Sequence, residues 1–252
     1  MNNVFVPDAQ RGVFERVVST LSTQLGMNPE LFKQSYKIMP TVLKLGVFLN
    51  TGISSYKLYP RKGADPTAPA GLNLLDQNDF FALDAISLRL SRFAYSAGVY
   101  SNPGNYPMLT YADPNYFTGN GTAAGKEWES LQTLINGNLS LLVNNETMVD
   151  PTPAQDYFFN PMATYTSSPL AYPQFGGSFE EKGYSPITPQ IILDASADNA
   201  IQIDLANGAK ANIDGSISTA TTDSGVRNVL YAFLHGFKVK NLAGSGNRAC
   251  AA

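Results

Sequence analysis

Residue types that commonly carry catalysis are scarce in this sequence. It contains one histidine, His235, and one cysteine, Cys250, among 252 residues. A catalytic His235 would need a nucleophile and an orienting carboxylate. It lies instead in an apolar run from Tyr231 to Phe237, and no Gly-x-Ser-x-Gly turn accompanies it. We therefore predict a structural or surface role for His235 and no catalytic residue.

Metal binding is not favoured by these residue types either. One histidine and one cysteine cannot assemble the His-rich sites of zinc or non-haem iron enzymes within one chain. The stretch Asp194-x-Ser196-x-Asp198 begins like a calcium loop, but Asn199 stands at the glycine position and Leu205 at the glutamate position. It is predicted to be a turn closed by Asx hydrogen bonds. No cofactor and no metal ligand are expected, and a structural metal ion at an interface between chains is left open.

Carboxylate pairs could still support glycoside hydrolysis. Glu127 and Glu129 flank Trp128, and Glu180 precedes Glu181. A glycosidase needs two carboxyl groups held about 5 to 10 Å apart, and nothing in the spacing singles out one pair. The sequence therefore predicts that the chain is not an enzyme. A β-sandwich hydrolase is the weakest of the alternatives.

The charge distribution argues against nucleic acid as a direct partner. The chain has 17 basic and 20 acidic residues, and its basic residues cluster only at 61–62 and at positions 238 and 240. This leaves no excess of cations to neutralise phosphates. The glycine pairs at 119–121 and 244–246 lack the strand-to-helix context of a phosphate loop. No run of about 18 apolar residues is present, so a membrane-spanning helix is not expected.

The composition is typical of a turn-rich β-protein. Hydrophobic residues make up 44% of the chain and charged residues only 15%, with 21 glycines and 16 prolines. Ordinary globular chains carry roughly 25% charged residues. Abundant turn formers suit many short strands, and a surface poor in charge suits contact with other subunits.

An amphipathic helix is predicted near the N-terminus. Its apolar positions recur at helical spacing and are the predicted interaction residues: Val13, Phe14, Val17, Val18, Leu21 and Leu25. This face could attach to a neighbouring subunit or a lipid surface, or it could pack on the sheet of its own chain. Asn28 and Pro29 predict a second, short helix that ends near Ser35.

The remainder alternates between strands and turns. Ile201-x-Ile203-x-Leu205 alternates strictly, and Asn136-Gly137 between two apolar runs predicts a hairpin. The predicted fold is mainly β, with two antiparallel β-sandwich units in tandem after the N-terminal helix. The predicted division is a helical arm at 1–37, a first sandwich at 38–150, a Pro/aromatic connector at 151–189, C-terminal strands at 190–243 of a second sandwich that starts near 155, and a flexible tail at 244–252.

This order of features resembles the double jelly-roll major capsid proteins of tailless, icosahedral, lipid-containing bacteriophages. The layout that carries the resemblance is the helix, the two β-units and the C-terminal run Val226 to Lys240. The resemblance covers the whole chain but contains no signature motif. It implies a structural virion protein, assembled in the host cytoplasm, whose homotrimers form an icosahedral shell. The candidate partners are other copies, an internal lipid membrane, and minor capsid or vertex proteins.

A second class of function fits the same residues. A receptor-binding or carbohydrate-binding β-sandwich would use the aromatic residues between Tyr95 and Tyr116 to stack on a ligand. The oligomeric state separates the two classes, because a coat protein assembles and a simple binding module need not.

Overall fold

The fold follows from the alternation of apolar and polar residues along long strands. The computed structural model describes residues 8–96, 99–101, 107–114, 116–117, 127–158, 183–215 and 224–241. The elements in these ranges are, in chain order, α1 (Asp8–Gln24), α2 (Pro29–Ser35), β1 (Tyr36–Phe48), β2 (Ser55–Leu58), β3 (Phe80–Ser96), β4 (Val99–Ser101), α3 (Glu127–Ile135), β5 (Asn138–Val143), β6 (Glu146–Pro153), a 3₁₀ turn (Ala154–Tyr157), β7 (Ser185–Asp194), β8 (Ala200–Asp204) and β9 (Ser224–Asn241). Most of the predicted connector, at 159–182, and the predicted tail at 244–252 lie outside the described residues.

The strands form two antiparallel sheets. Sheet A has the order β1-β9-β3, and the free edge of β3 pairs with β7 at one end and with the short β4 at the other. Sheet B has the order β2-β8-β5-β6. The described strands therefore form a β-sandwich, in which β9 and β3 are the central strands of the larger sheet.

The inner faces of the two sheets share one hydrophobic core. Side chains on one face of a strand recur every second residue, and this period selects the buried positions. They include Leu43 and Leu45 of β1, Leu88 and Leu90 of β3, Leu139 and Leu141 of β5, Ile201 and Ile203 of β8, and Leu230 and Leu234 of β9. In β3 the register shifts between Leu83 and Ala85. Because of the extra residue, Asp84, the side chains of β3 that face the core have odd numbers before it and even numbers after it.

These pairings correct the predicted tandem arrangement. Each sheet combines strands from before residue 150 with strands from after residue 183. The described strands therefore build one sandwich, and the predicted units 38–150 and 190–243 share it. The reason is that regular turn spacing predicts how many strands there are but not which strands pair, since pairing is set by contacts between distant parts of the chain.

The predicted hairpin at Asn136-Gly137 is also wrong. The residues before it form helix α3, and Asn136 and Gly137 connect this helix to β5. Leu131 and Leu134 are buried three residues apart, which suits a helix as well as a strand, and such short apolar runs are ambiguous. A side chain at Gly137 would collide with the carbonyl oxygen of Asp204, so this glycine permits a close approach of two backbones.

The outer face of sheet A is covered in part by the two N-terminal helices. Val17, Val18, Leu21 and Phe32 form a second apolar cluster with Ile38, Ala82, Phe237 and Val239 of the sheet. Helix α2 begins as its sequence predicts, because the side chain of Asn28 accepts a hydrogen bond of 2.9 Å from the backbone N–H of Glu30. Within the described residues, no helix is long and apolar enough to cross a membrane.

Proline interrupts the exposed edges of the sandwich. The edge strands β1, β6 and β7 contain Pro40, Pro151, Pro153, Pro186 and Pro189, while the edge strand β2 has only four residues. In β1 the backbone N–H of Lys44 points away from β9, since it donates to the carbonyl oxygen of Asn73 at 3.0 Å. Pro40 lies four residues before Lys44, so its backbone nitrogen is on the same outward side of the strand. Because proline has no N–H, this edge lacks a hydrogen-bond donor at that position.

Candidate functional site

The apolar face of helix α1 is occupied by the chain's own sheet. Val17, Val18 and Leu21 are buried, and Val13 and Phe14 pack against the same cluster. The ring of Phe14 meets that of Phe237 edge-on, with 6.2 Å between the ring centroids. Of the six predicted interaction residues, only Leu25 is exposed, at 36%. The structure therefore brings five of them together as packing residues of the sandwich.

Two apolar side chains remain exposed on the helical pair. Leu25 follows α1, and Leu31 of α2 is 51% exposed. Large apolar side chains on a surface are common singly, and two of them six residues apart at the connection of α1 and α2 make a small candidate contact surface. We call Leu25 and Leu31 the helical contact pair.

A buried ionic cluster lies at one end of the sandwich. The Glu127 carboxylate opens α3 and is 1% exposed, and its Oε1 accepts hydrogen bonds of 2.6 Å from both Arg92 Nη2 and Asn228 Nδ2. The guanidinium of Arg92 lies about 5 Å from the ring centroids of Tyr116 and Phe117. Asn228 Nδ2 also donates to the carbonyl oxygen of Ile213, at 3.1 Å. The cluster ties β3, β9 and α3 together.

This arrangement does not form the carboxylate pair considered from the sequence. Glu127 is buried in an ion pair with Arg92, while Glu129 is exposed on another side of the helix. Residues two positions apart do not face each other on a helix. Glu180 and Glu181 lie outside the described residues. The geometry of Glu127 fits a structural role in joining three elements.

A second ionic cluster closes the other end of the core. Lys238 Nζ lies 2.7 Å from the buried carboxylate of Asp79, and Lys62 Nζ lies 2.6 Å from Asp76. Lys240 Nζ also bonds to Asp76, at 3.2 Å. The hydrogen bond from Lys62 is the largest cause that lowers the pKa of Asp76 below its ordinary value, and the neighbouring lysines add to it. The two basic positions singled out in the sequence, at 61–62 and 238–240, therefore meet around two aspartates.

The single histidine lies on the outer face of sheet A. His235 Nδ1 is 3.7 Å from the carboxylate of Asp84, and the ring of Tyr184 meets the imidazole edge-on with 6.1 Å between centroids. Burial raises the pKa of Tyr184. A separation of 3.7 Å is too long for a hydrogen bond and suits an ion pair when the imidazole is protonated. His235 is thus a side chain of the sheet surface with aromatic and acidic neighbours.

The stretch that resembles a calcium loop is a closed turn, as predicted. Asp194 Oδ1 accepts hydrogen bonds from the backbone N–H and the hydroxyl of Ser196, at 2.8 and 2.7 Å. Asn199 Nδ2 donates to the carbonyl oxygen of Asp194 at 2.6 Å. Across the part of the chain that the structure describes, no three His, Cys, Asp or Glu side chains are grouped to hold a metal ion.

One group of residues was missed by the sequence analysis. Lys44 and Arg89 lie on the outer face of sheet A, over the rings of Tyr231 and Phe233 respectively, and we call these four residues the cation-aromatic patch. Lys44 Nζ is 4.4 Å from the Tyr231 ring centroid, and the Arg89 guanidinium carbon is 4.9 Å from that of Phe233. The available signal was the presence of Lys44 and Arg89 at positions flanked on both sides by leucines within strands, Leu43 and Leu45 in β1 and Leu88 and Leu90 in β3.

Comparison with known proteins adds no relative. No protein-family model, no curated protein and no solved structure matches this chain.

Proposed function

We propose that this chain is a structural virion protein, a coat subunit that assembles with copies of itself into a shell, and that its sandwich is a single jelly roll. The observation that carries the proposal is the strand order. Without the short β4, the sheets read β1-β9-β3-β7 and β2-β8-β5-β6. This is the order of an eight-stranded jelly roll, an architecture of viral capsid proteins, lectins and cupins.

The residues at hand favour a coat protein over the other jelly-roll classes. A cupin needs several histidines for its metal, and the chain has one. The low content of charged residues, 15%, suits a surface that meets other protein surfaces. We propose one jelly roll per chain, where the resemblance implied two. The homotrimer is part of this proposal and is tested by measuring the oligomeric state.

The helical contact pair is the surface through which we propose that copies meet. Leu25 and Leu31 are exposed on the side of the sandwich that the helices cover. The outer face of sheet B differs, since Lys57, Gln202 and Asp204 lie there. An apolar contact surface on one face and a polar one on the other would orient each subunit within a shell.

The test is the state of assembly of the purified chain. Light scattering after size exclusion, followed by electron microscopy, should find trimers or closed particles. The double variant Leu25→Glu/Leu31→Glu should assemble less while its melting temperature stays near that of the wild type. Met148→Glu is the matched control, because Met148 is 55% exposed on β6 of the other sheet.

Two results would contradict the proposal. A chain that stays monomeric at every concentration is not a coat subunit. A monomer that is retained on a glycan column would instead support the carbohydrate-binding module, for which the exposed ring of Tyr111 offers a stacking surface.

A further inference from the structure

We propose that the outer face of sheet A contains an oxyanion-binding site in which Lys44 and Arg89 supply the positive charge. The site does not depend on whether the chain forms a shell. Its ligand is a small anion with carboxylate or phosphate oxygens. The cation-aromatic patch forms its floor.

The sheet register places these residues side by side. Lys44, Phe233 and Ser87 stand opposite one another across β1, β9 and β3. In the next row, Tyr231 stands between Gly46 and Arg89. A Cβ at Gly46 would come within 2.9 Å of the Tyr231 ring, so the ring lies across the bare backbone of β1. Both cations therefore lie on one aromatic surface, two strands apart.

Neither cation of the patch has an anionic partner within the ranges that the structure describes. Among the described residues neither Lys44 nor Arg89 forms an ion pair, although Lys238, Lys240 and Arg92 of the same sheet each pair with a carboxylate. Burial lowers the pKa of Lys44, as expected for a partly desolvated ammonium without a counter-ion. Asp84, the acidic residue of this face in β3, lies beside His235.

Buried groups that can donate hydrogen bonds belong to the patch or stand beside it in the sheet register. Ser87 Oγ, Arg89 Nε and Tyr231 Oη are buried and have no hydrogen-bond partner among the residues that the structure describes. Ser87 is 0% exposed. Three unsatisfied donors in neighbouring rows of one face require an explanation, because buried polar groups in native proteins are almost always bonded.

The chemistry of these groups selects an oxyanion. All three can donate, and the charges of Lys44 and Arg89 are positive. Water can also bond to the two hydroxyl groups, but it carries no charge, whereas a carboxylate or phosphate group accepts from all of these donors and gains further from charge-assisted bonds to both cations. A metal ion is disfavoured for the same reason, since the groups that face it would be cations.

The test follows the melting temperature at constant ionic strength. Replacing chloride by inorganic phosphate, or by acetate as a carboxylate probe, should raise the melting temperature of the wild type, since a ligand that binds the folded state stabilises it. The larger of the two shifts identifies the preferred oxyanion. Lys44→Gln and Arg89→Gln should lose the response. Lys57→Gln, which removes an exposed lysine from sheet B, should keep it.

A conservative variant separates loss of the anion site from loss of the fold. Arg89→Lys keeps the charge but loses Nε, and its affinity for phosphate, measured by calorimetric titration, should fall by about tenfold or more. The proposal is overturned if neither anion raises the melting temperature of the wild type above that in chloride, or if the Lys44 and Arg89 variants respond as the wild type does.

Discussion

At the scale of single residues, the ionic clusters explain how charge is tolerated at the ends of the core. Glu127 is 1% exposed and Arg92 12%, so their ion pair is shielded from solvent. Removing one partner of such a pair leaves an uncompensated buried charge. This lowers the stability far more than replacing both partners by apolar side chains does. The sequence shows both residues but gives no sign of their meeting, since they are separated by 35 positions.

We expect Arg92→Met to destabilise the chain by about 3 to 5 kcal/mol, because it leaves Glu127 buried without its cation. The double variant Arg92→Met/Glu127→Met should recover much of this loss. Urea unfolding of the three proteins measures the free energies. As a control, Arg11→Met removes an exposed ion pair of α1 and should change stability by at most about 1 kcal/mol. A single variant as stable as the wild type would refute the structural role of the pair.

At the scale of elements, local signals predicted some structures well and others poorly. The cap residues before α2 and the alternation within Ile201 to Leu205 marked a helix and a strand that the structure contains. The Asx turn at Asp194 is also determined by neighbouring residues. The prediction of a hairpin at Asn136 was wrong because a helix-to-strand connection can use the same Asn-Gly dipeptide. Only contacts with β8 distinguish a hairpin from such a connection.

Helix α1 should behave as part of the sandwich. We expect Leu21→Ala to lower the free energy of unfolding by about 2 to 5 kcal/mol, because Leu21 is fully buried against the sheet. Leu25→Ala is the matched control on the same segment, and its exposed position predicts a much smaller loss. Denaturant unfolding of both variants gives the comparison. Equal and small losses would mean that the helix does not rest on sheet A in solution.

At the scale of the whole molecule, the order in which strands pair could not be read from the sequence. The sequence predicted two β-units from alternating runs, but β8 and β9 insert between earlier strands and β7 pairs with the edge of β3. Alternation assigns a residue to a face and leaves the neighbouring strand undetermined. The cation-aromatic patch escaped detection for the same reason, since Lys44, Arg89 and Phe233 become neighbours only through the pairing of β1, β9 and β3.

A shared core predicts one cooperative transition. We expect calorimetry to give a single unfolding peak whose calorimetric and van't Hoff enthalpies agree. Fragments 1–158 and 183–252 should each fail to fold alone, because each would supply only part of both sheets. Circular dichroism of the fragments provides the second measurement. Two resolved transitions, or a folded fragment, would restore the tandem arrangement.

The prolines at the sheet edges have a consequence for crowded conditions. Amyloid grows when a flat strand edge offers an unbroken row of backbone donors and acceptors to the next chain. Pro40, Pro151 and Pro186 interrupt that row on three described edges. At high local concentration, copies of this chain are therefore expected to resist pairing edge to edge along these three strands. Under the proposed assembly, contacts made by side chains would be able to dissociate and form again, so that errors of packing between neighbours could be corrected.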